Sequence, residues 1–161
     1  MSQPGVIDGL QFARGRSEIE GTLGPERFPR LAQMDCRAGE VAFSVRGGEN
    51  AKGRLCLRVR ASAVLELQCQ RCLEPMQYPV EVNAELELCE SPREVAEADD
   101  DTDRMLATAS MDVAQMVEDE LILALPDSPR HESCEIPDEG RGKERASPFD
   151  ALARLKGRGN E

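Results

Sequence analysis

The stretch RLCLRVRASAVLELQ, residues 54–68, decides the fold. Leu55, Leu57, Val59, Ala61, Ala63, Leu65 and Leu67 recur at strict period two. Arg54, Cys56, Arg58, Arg60, Ser62, Val64, Glu66 and Gln68 fill the alternate positions. Only an extended backbone puts every second side chain on one face, so this is a long, half-buried strand. A second run, Val80–Leu88, alternates in the same way. Val80, Val82, Ala84, Leu86 and Leu88 lie on one face, and Glu81, Asn83, Glu85 and Glu87 on the other. The join Cys69–Pro79 is too short for a parallel crossover. The two strands therefore form an antiparallel hairpin with one wet face. A register with Arg60 opposite Glu85 and Arg58 opposite Glu87 keeps the apolar faces together and matches charges across the strands.

Working towards the N-terminus, Glu40–Arg46 alternates again, with Val41, Phe43 and Val45 on one face. Gly47-Gly48, followed by Glu49-Asn50, reads as a turn. Pro25–Met34 suggests a short helix interrupted at Pro29. Arg16–Leu23 alternates weakly, as an edge strand does. Working towards the C-terminus, Ser91–Arg104 reads as an acidic, mobile loop that includes Asp99-Asp100-Asp101. Met111–Leu125 is a helix. Asp112 caps it, Gln115 completes a capping box, and Val113, Met116, Val117, Leu121, Ala124 and Leu125 form an apolar stripe. Pro126 and Pro129 end it. Glu132–Ala146 is polar and loose. Ser147 and Pro148 then open a short terminal helix with Phe149, Leu152 and Leu155 on one face. The expected architecture is α+β: an antiparallel β-sheet meander, a packed amphipathic helix and a short C-terminal helix. Residues 1–130 form one domain, with a mobile acidic loop at about 91–104, and residues 131–161 form a tail.

Charge narrows the function. The 161-residue chain carries a net −11, unevenly spread. Residues 81–139 hold 3 basic and 19 acidic groups, a net of −16, whereas residues 1–80 hold 11 basic and 9 acidic. Such a segment repels a phosphate backbone and attracts basic protein. Aromatics are 3% of the chain, too few for the stacking platforms that single-stranded RNA requires. The first 21 residues include Asp8, Arg14, Arg16, Glu18 and Glu20 and contain no apolar signal region. No window approaches the roughly 18 apolar residues of a membrane span. A cytoplasmic location follows as the expectation. There the six cysteines are reduced thiols, metal ligands or redox groups.

Two cysteine motifs have metal-ligand spacing. Cys69-Gln70-Arg71-Cys72 is a C-x-x-C at the hairpin tip, and His131-Glu132-Ser133-Cys134 is an H-x-x-C beyond the helix. Zinc takes four N/S ligands in a tetrahedron, and each pair can supply two. Two other readings stand beside this one. The four residues can be ordinary reduced side chains, or Cys69 and Cys72 can be a thiol-redox pair. Redox motifs open a helix in a βαβ setting, whereas this one joins two strands. Cys36, Cys56 and Cys89 lack partners at useful spacing. Glu118-Asp119-Glu120 reads as a solvated helix face and not as catalytic carboxylates.

At these residues the sequence resembles the YceD family, the large ribosomal RNA subunit accumulation proteins. The resemblance is carried by Leu67–Pro75 (LQCQRCLEP), Met116–Pro126 (MVEDELILALP), His131 to Cys134, and the terminal SPFDALARLK of residues 147–156, which is similar to the family's closing N-P-F-x-x-L-x-x-L-K. It implies a non-catalytic ribosome-biogenesis accessory factor supporting synthesis, processing or stability of large-subunit (23S) ribosomal RNA. The expected partners are a pre-ribosomal large subunit or a basic ribosomal protein, with direct rRNA binding left open. No small-molecule substrate and no membrane are expected. A thiol-redox or metal-handling protein using Cys69 and Cys72 is the alternative.

Overall fold

A computed structural model describes residues 5–97 and 101–136. In chain order its elements are β1 (Val6–Ile7), α1 (Gly9–Arg14), β2 (Glu18–Leu23), a 3-10 turn (Pro25–Arg27), α2 (Pro29–Gln33), β3 (Arg37–Ala38), β4 (Val41–Glu49), β5 (Leu55–Gln68), β6 (Pro75–Cys89), α3 (Pro92–Ala96), β7 (Arg104–Leu106), β8 (Met111–Asp112) and α4 (Val113–Leu123). The class is α+β. The main sheet runs β2-β4-β5-β6-β7, with β3 also on β5, and β1 pairs with β8 apart from it. All pairs are antiparallel except β6 with β7.

The period-two pattern of β5 and β6 is realised as burial. Leu57, Val59, Ala61, Leu65 and Leu67 of β5, and Val80, Leu86 and Leu88 of β6, enter one core. Val41, Phe43 and Val45 of β4 extend it, and Val113, Met116, Val117 and Leu121 of α4 cover it. Asp112 caps α4 by accepting from the backbone N–H groups of Ala114 and Gln115, which offsets donors that a helix start leaves unpaired.

The structure corrects several sequence expectations. The β5–β6 register is slipped by two residues: Arg58 faces Glu85, Arg60 faces Asn83 and Glu87 faces Cys56. A slip of two leaves every side chain on its own face, so the hydrophobic pattern cannot choose between the registers. The connection chooses. It is only the segment 69–74, closed by Cys69 N–H donating to Glu74 O at 2.9 Å. Strand β6 accordingly starts at Pro75, earlier than the periodicity indicated.

Gly47 and Gly48 are not a turn but ladder positions in β4, opposite Leu57 and Cys56. A Cβ on Gly47 would lie 2.4 Å from the Phe12 carbonyl oxygen and 2.7 Å from Ala13 Cα, so glycine is needed where α1 crosses the strand. The turn lies beyond it. The Asn50 side-chain oxygen accepts from Lys52 and Arg54 N–H, and Gly53 takes φ +72°.

The β3 and β4 registers on β5 differ by one residue, so Gly39-Glu40 is a bulge in one interrupted strand. The segment expected as an acidic loop opens with the Ser91-capped helix α3 and ends at Arg104, where the parallel strand β7 begins. Helix α1, capped by Asp8 on Gln11 N–H, has no counterpart in the sequence reading. The expected terminal helix lies outside the described residues. Among the described residues, no helix is long and apolar enough to cross a membrane.

Candidate metal centre

Strand β5 ends at Gln68, and the chain tightens at once into a knuckle. Leu73 N–H donates to Cys69 O, and Leu73 adopts φ +64°, which turns the chain back into β6. Helix α4 ends near Leu123, and the proline-containing segment that follows returns to the hairpin tip. There Gln70 N–H donates to Pro129 O at 2.8 Å. That bond joins the two motifs, which stand 59 to 65 residues apart in the chain.

The four residues expected from the sequence meet. The donor atoms of Cys69, Cys72, His131 and Cys134 all lie within 4.8 Å of one another. Cys69 Sγ and Cys134 Sγ are 3.7 Å apart, and Cys72 Sγ and His131 Nδ1 are 3.3 Å apart. A tetrahedral zinc ion with bonds near 2.3 Å to sulfur and 2.0–2.1 Å to nitrogen has S···S edges of about 3.8 Å and S···N edges of about 3.5 Å. Those two edges are close to these values and all four donors lie within 4.8 Å, so the donor set and spacing suit a metal ion.

Electrostatics favour the same reading. Cys69 is buried, whereas Cys72 and Cys134 are half-buried. Burial pushes the Cys69 thiol up, but backbone N–H donors from Cys72, His131 and Arg71, with a contribution from the Cys72 side chain, outweigh it and bring the thiol down to about 5. Arg71 and His131 N–H each lie 3.4 Å from Cys69 Sγ. A thiolate is the form that binds metal. Burial, and then hydrogen bonding with the neighbouring thiols, raises Cys134. Of the four donors, Cys69 is thus the one whose surroundings favour the thiolate, and an added cation would favour deprotonation of the others.

The acidic run of α4 departs from its expected solvated face. Glu118 is buried, with 2% of its surface exposed. Its Oε1 accepts from Arg30 N at 2.7 Å and Leu31 N at 3.1 Å, and its Oε2 accepts from Arg30 Nε at 2.9 Å. Asp119 pairs with the same guanidinium. Helix α2 has Phe28 as its N-cap residue, which supplies no side-chain cap, so Glu118 caps it from another helix. The partners stand 88 residues apart, and no local signal announces them. Glu120 is pushed up by burial, then by Asp103 and Asp119.

The arginines of β5 and of the hairpin tip are largely engaged within the fold. Arg54 pairs with Glu87 and Glu94, and Arg58 with Glu85. Arg60 meets Asn83, and Arg71 reaches the Cys134 carbonyl. Glu87, only 3% exposed, also accepts from Asn50 at 2.9 Å and lies 3.3 Å from Arg104 Nε.

Comparison with known proteins gives one consistent result. The model of the family described as "Large ribosomal RNA subunit accumulation protein YceD" matches residues 57–156. A curated protein of that description from Haemophilus influenzae (strain ATCC 51907 / DSM 11121 / KW20 / Rd) is 27% identical over 172 residues, covering 95% of each chain. No solved structure matches.

Proposed function

The chain belongs to the YceD family of large ribosomal RNA subunit accumulation proteins, and on that premise we propose that it is a non-catalytic accessory factor for large-subunit ribosomal RNA. It supports the synthesis, processing or stability of that RNA in the cytoplasm. The observation that carries the structural half of this reading is the convergence of Cys69, Cys72, His131 and Cys134. These four hold one structural zinc ion. Three thiolates and an imidazole complete a tetrahedron and leave no position open for a substrate. The ion fastens the tail that starts at residue 131 to the domain formed by residues 1–130. A thiol-redox role is not favoured, because Cys69 follows one strand and Cys72 precedes another, with no helix opening between them. Glu118 and Asp119 of α4 are engaged with Arg30, which supports the non-catalytic reading.

The partner is a basic ribosomal protein or a pre-ribosomal particle, met through the acidic part of the chain. Pairing of Arg54 and Arg58 with acids lowers the attraction of that face for phosphate. Two measurements test the proposal. Purified protein should carry close to one zinc per chain, and Cys69→Ser should carry almost none. Titrations at matched ionic strength should show salt-sensitive binding to basic large-subunit proteins and little to a large-subunit rRNA fragment. Tight RNA binding abolished in an Arg54/Arg58/Arg60/Arg71→Ala variant, without protein binding, would overturn the choice of partner.

A further inference from the structure

Strand β6 is long, and its outer neighbour is short. Strand β7 covers only Glu87–Cys89, so the outer edge is open before Glu87 among the described residues. The phase of the ladder shows which groups point outwards. Val64 O accepts from Gly39 N–H, on the side of β5 away from β6. Val64 and its partner Pro79 therefore form a non-hydrogen-bonded pair, and position 79 turns its backbone to the outer edge. Two bonds to the β7 segment agree: Glu87 N–H donates to Asp103 O, and Cys89 O accepts from Ala107 N–H. Odd-numbered residues of β6 thus face outwards. Pro79, which lacks an N–H, is tolerated because its nitrogen lies on that edge.

Between Pro79 and β7 remain Glu81, Asn83 and Glu85. All three are exposed, and their outward N–H and C=O groups meet no backbone partner among the described residues. Their side chains share the polar face, while Val82 and Ala84 between them point to the core and are only partly buried. Glu85 pairs with Arg58, and Glu81 has no cation within 4 Å among the described residues. Arg58 and Arg60 belong to the next strand inwards, about 10 Å from any strand added outside β6, against about 5 Å for Glu81 and Glu85.

A second copy of this edge fits poorly. Antiparallel pairing centred on Asn83 sets Glu81 opposite Glu85 twice. Moving the pairing one step sets Glu85 opposite Pro79 and loses a bond. A cationic strand meets neither obstacle.

Resting on the proposed basic-protein partner, we infer that Glu81–Asn83–Glu85 is a docking edge where an extended segment with alternating cationic and apolar residues adds a strand to the sheet. The partner's backbone bonds to the outward groups. Its cations lie beside Glu81 and Glu85, and its apolar residues extend the layer of Val82 and Ala84.

Amide hydrogen exchange on the full chain tests this, with the capped peptide Thr-Lys-Val-Lys-Val-Lys-Thr as probe and its Lys-to-Glu counterpart as control. The lysine peptide should slow exchange of the Glu81, Asn83 and Glu85 amides at least tenfold, and the glutamate peptide should not. Asn83→Pro removes one outward N–H while sparing the β5–β6 ladder, and should abolish the protection. Glu81→Lys, which leaves the backbone intact, should weaken it if the proline variant fails to fold. Slow exchange at these amides in the free chain, dimerisation through β6, or no peptide-induced protection would overturn the inference. Proteins extracted from large ribosomal subunits separate the two levels. Equal binding by parent and Asn83→Pro keeps the partner and removes the edge. Protection by the peptide with no binding of the extract keeps the edge chemistry and removes the ribosomal partner.

Discussion

The two ends of the β5–β6 hairpin perform one mechanical task with opposite chemistry. At the turn end, Cys69 and Cys72 receive His131 and Cys134 from the segment after α4. At the other end, Glu87 receives Arg104 from β7, beside Arg54 and Asn50. Each end clasps a later stretch of chain. The carboxylate clasp is complete in itself, because each charge meets its opposite within the fold. The Cys/His clasp gathers four donors whose type and spacing suit a cation. On the proposed zinc reading, one end is constitutive and the other answers to metal supply and acidity.

The largest expected effect tests the constitutive end. Glu87→Ala leaves Arg104, whose side chain is 19% exposed, without its carboxylate. Urea unfolding should show a loss of about 3 kcal/mol. A loss under about 1 kcal/mol would mean that Arg104 finds water, and the contrast between the ends would fail. Next comes Glu118→Ala, which removes the cap of α2 and one of the two carboxylate partners of Arg30. A loss of about 2–3 kcal/mol is expected from the unpaired donors, read by the same unfolding curve.

The conditional end is tested by its dependence on metal. With excess chelator, the parent and Cys69→Ser should unfold within about 1 kcal/mol of each other. With zinc restored, only the parent should gain stability, by an amount that grows with free zinc. Equal gains in both would detach the metal from Cys69. Lowering the pH should release the metal, because its ligands must lose protons to bind.

The smallest effect concerns Glu120. Its pKa is raised by burial, then by Asp103 and Asp119, so its ionised form opposes folding. The penalty is present above the raised folded value and fades as pH falls through it towards the unfolded value. Glu120→Gln should raise stability at pH 7 by at most about 0.5 kcal/mol, since the site is partly solvated, and the gain should vanish near pH 4. A gain that persists at low pH would point to packing instead of charge.

Strand faces, the α4 stripe and the Asp112 cap were legible because each follows from neighbours in sequence. Period two places Leu57, Val59 and Ala61 together whatever lies opposite them. The Cys/His set was legible because ligand pairs must sit on tight turns, a local demand that spacing records. The role of Glu118 was not: nothing in Glu118-Asp119-Glu120 distinguishes a solvated run from one whose first member enters α2. Helix α1 could have been found from Asp8 followed three residues later by Gln11, but its six residues are too short to show a period.

By itself the sequence determined which side chains share a face, which residue caps α4 and which four residues offer donor atoms at metal-ligand spacing. Those properties depend on backbone periodicity and on spacing of a few residues. Only the tertiary structure decided the two-residue register, the placing of Gly47 under α1, the burial of Glu87 and Glu118, and the open outer edge of β6. Each of these depends on contacts between segments distant in the chain. Their free energy comes from desolvation and pairing across space, which a one-dimensional pattern leaves degenerate.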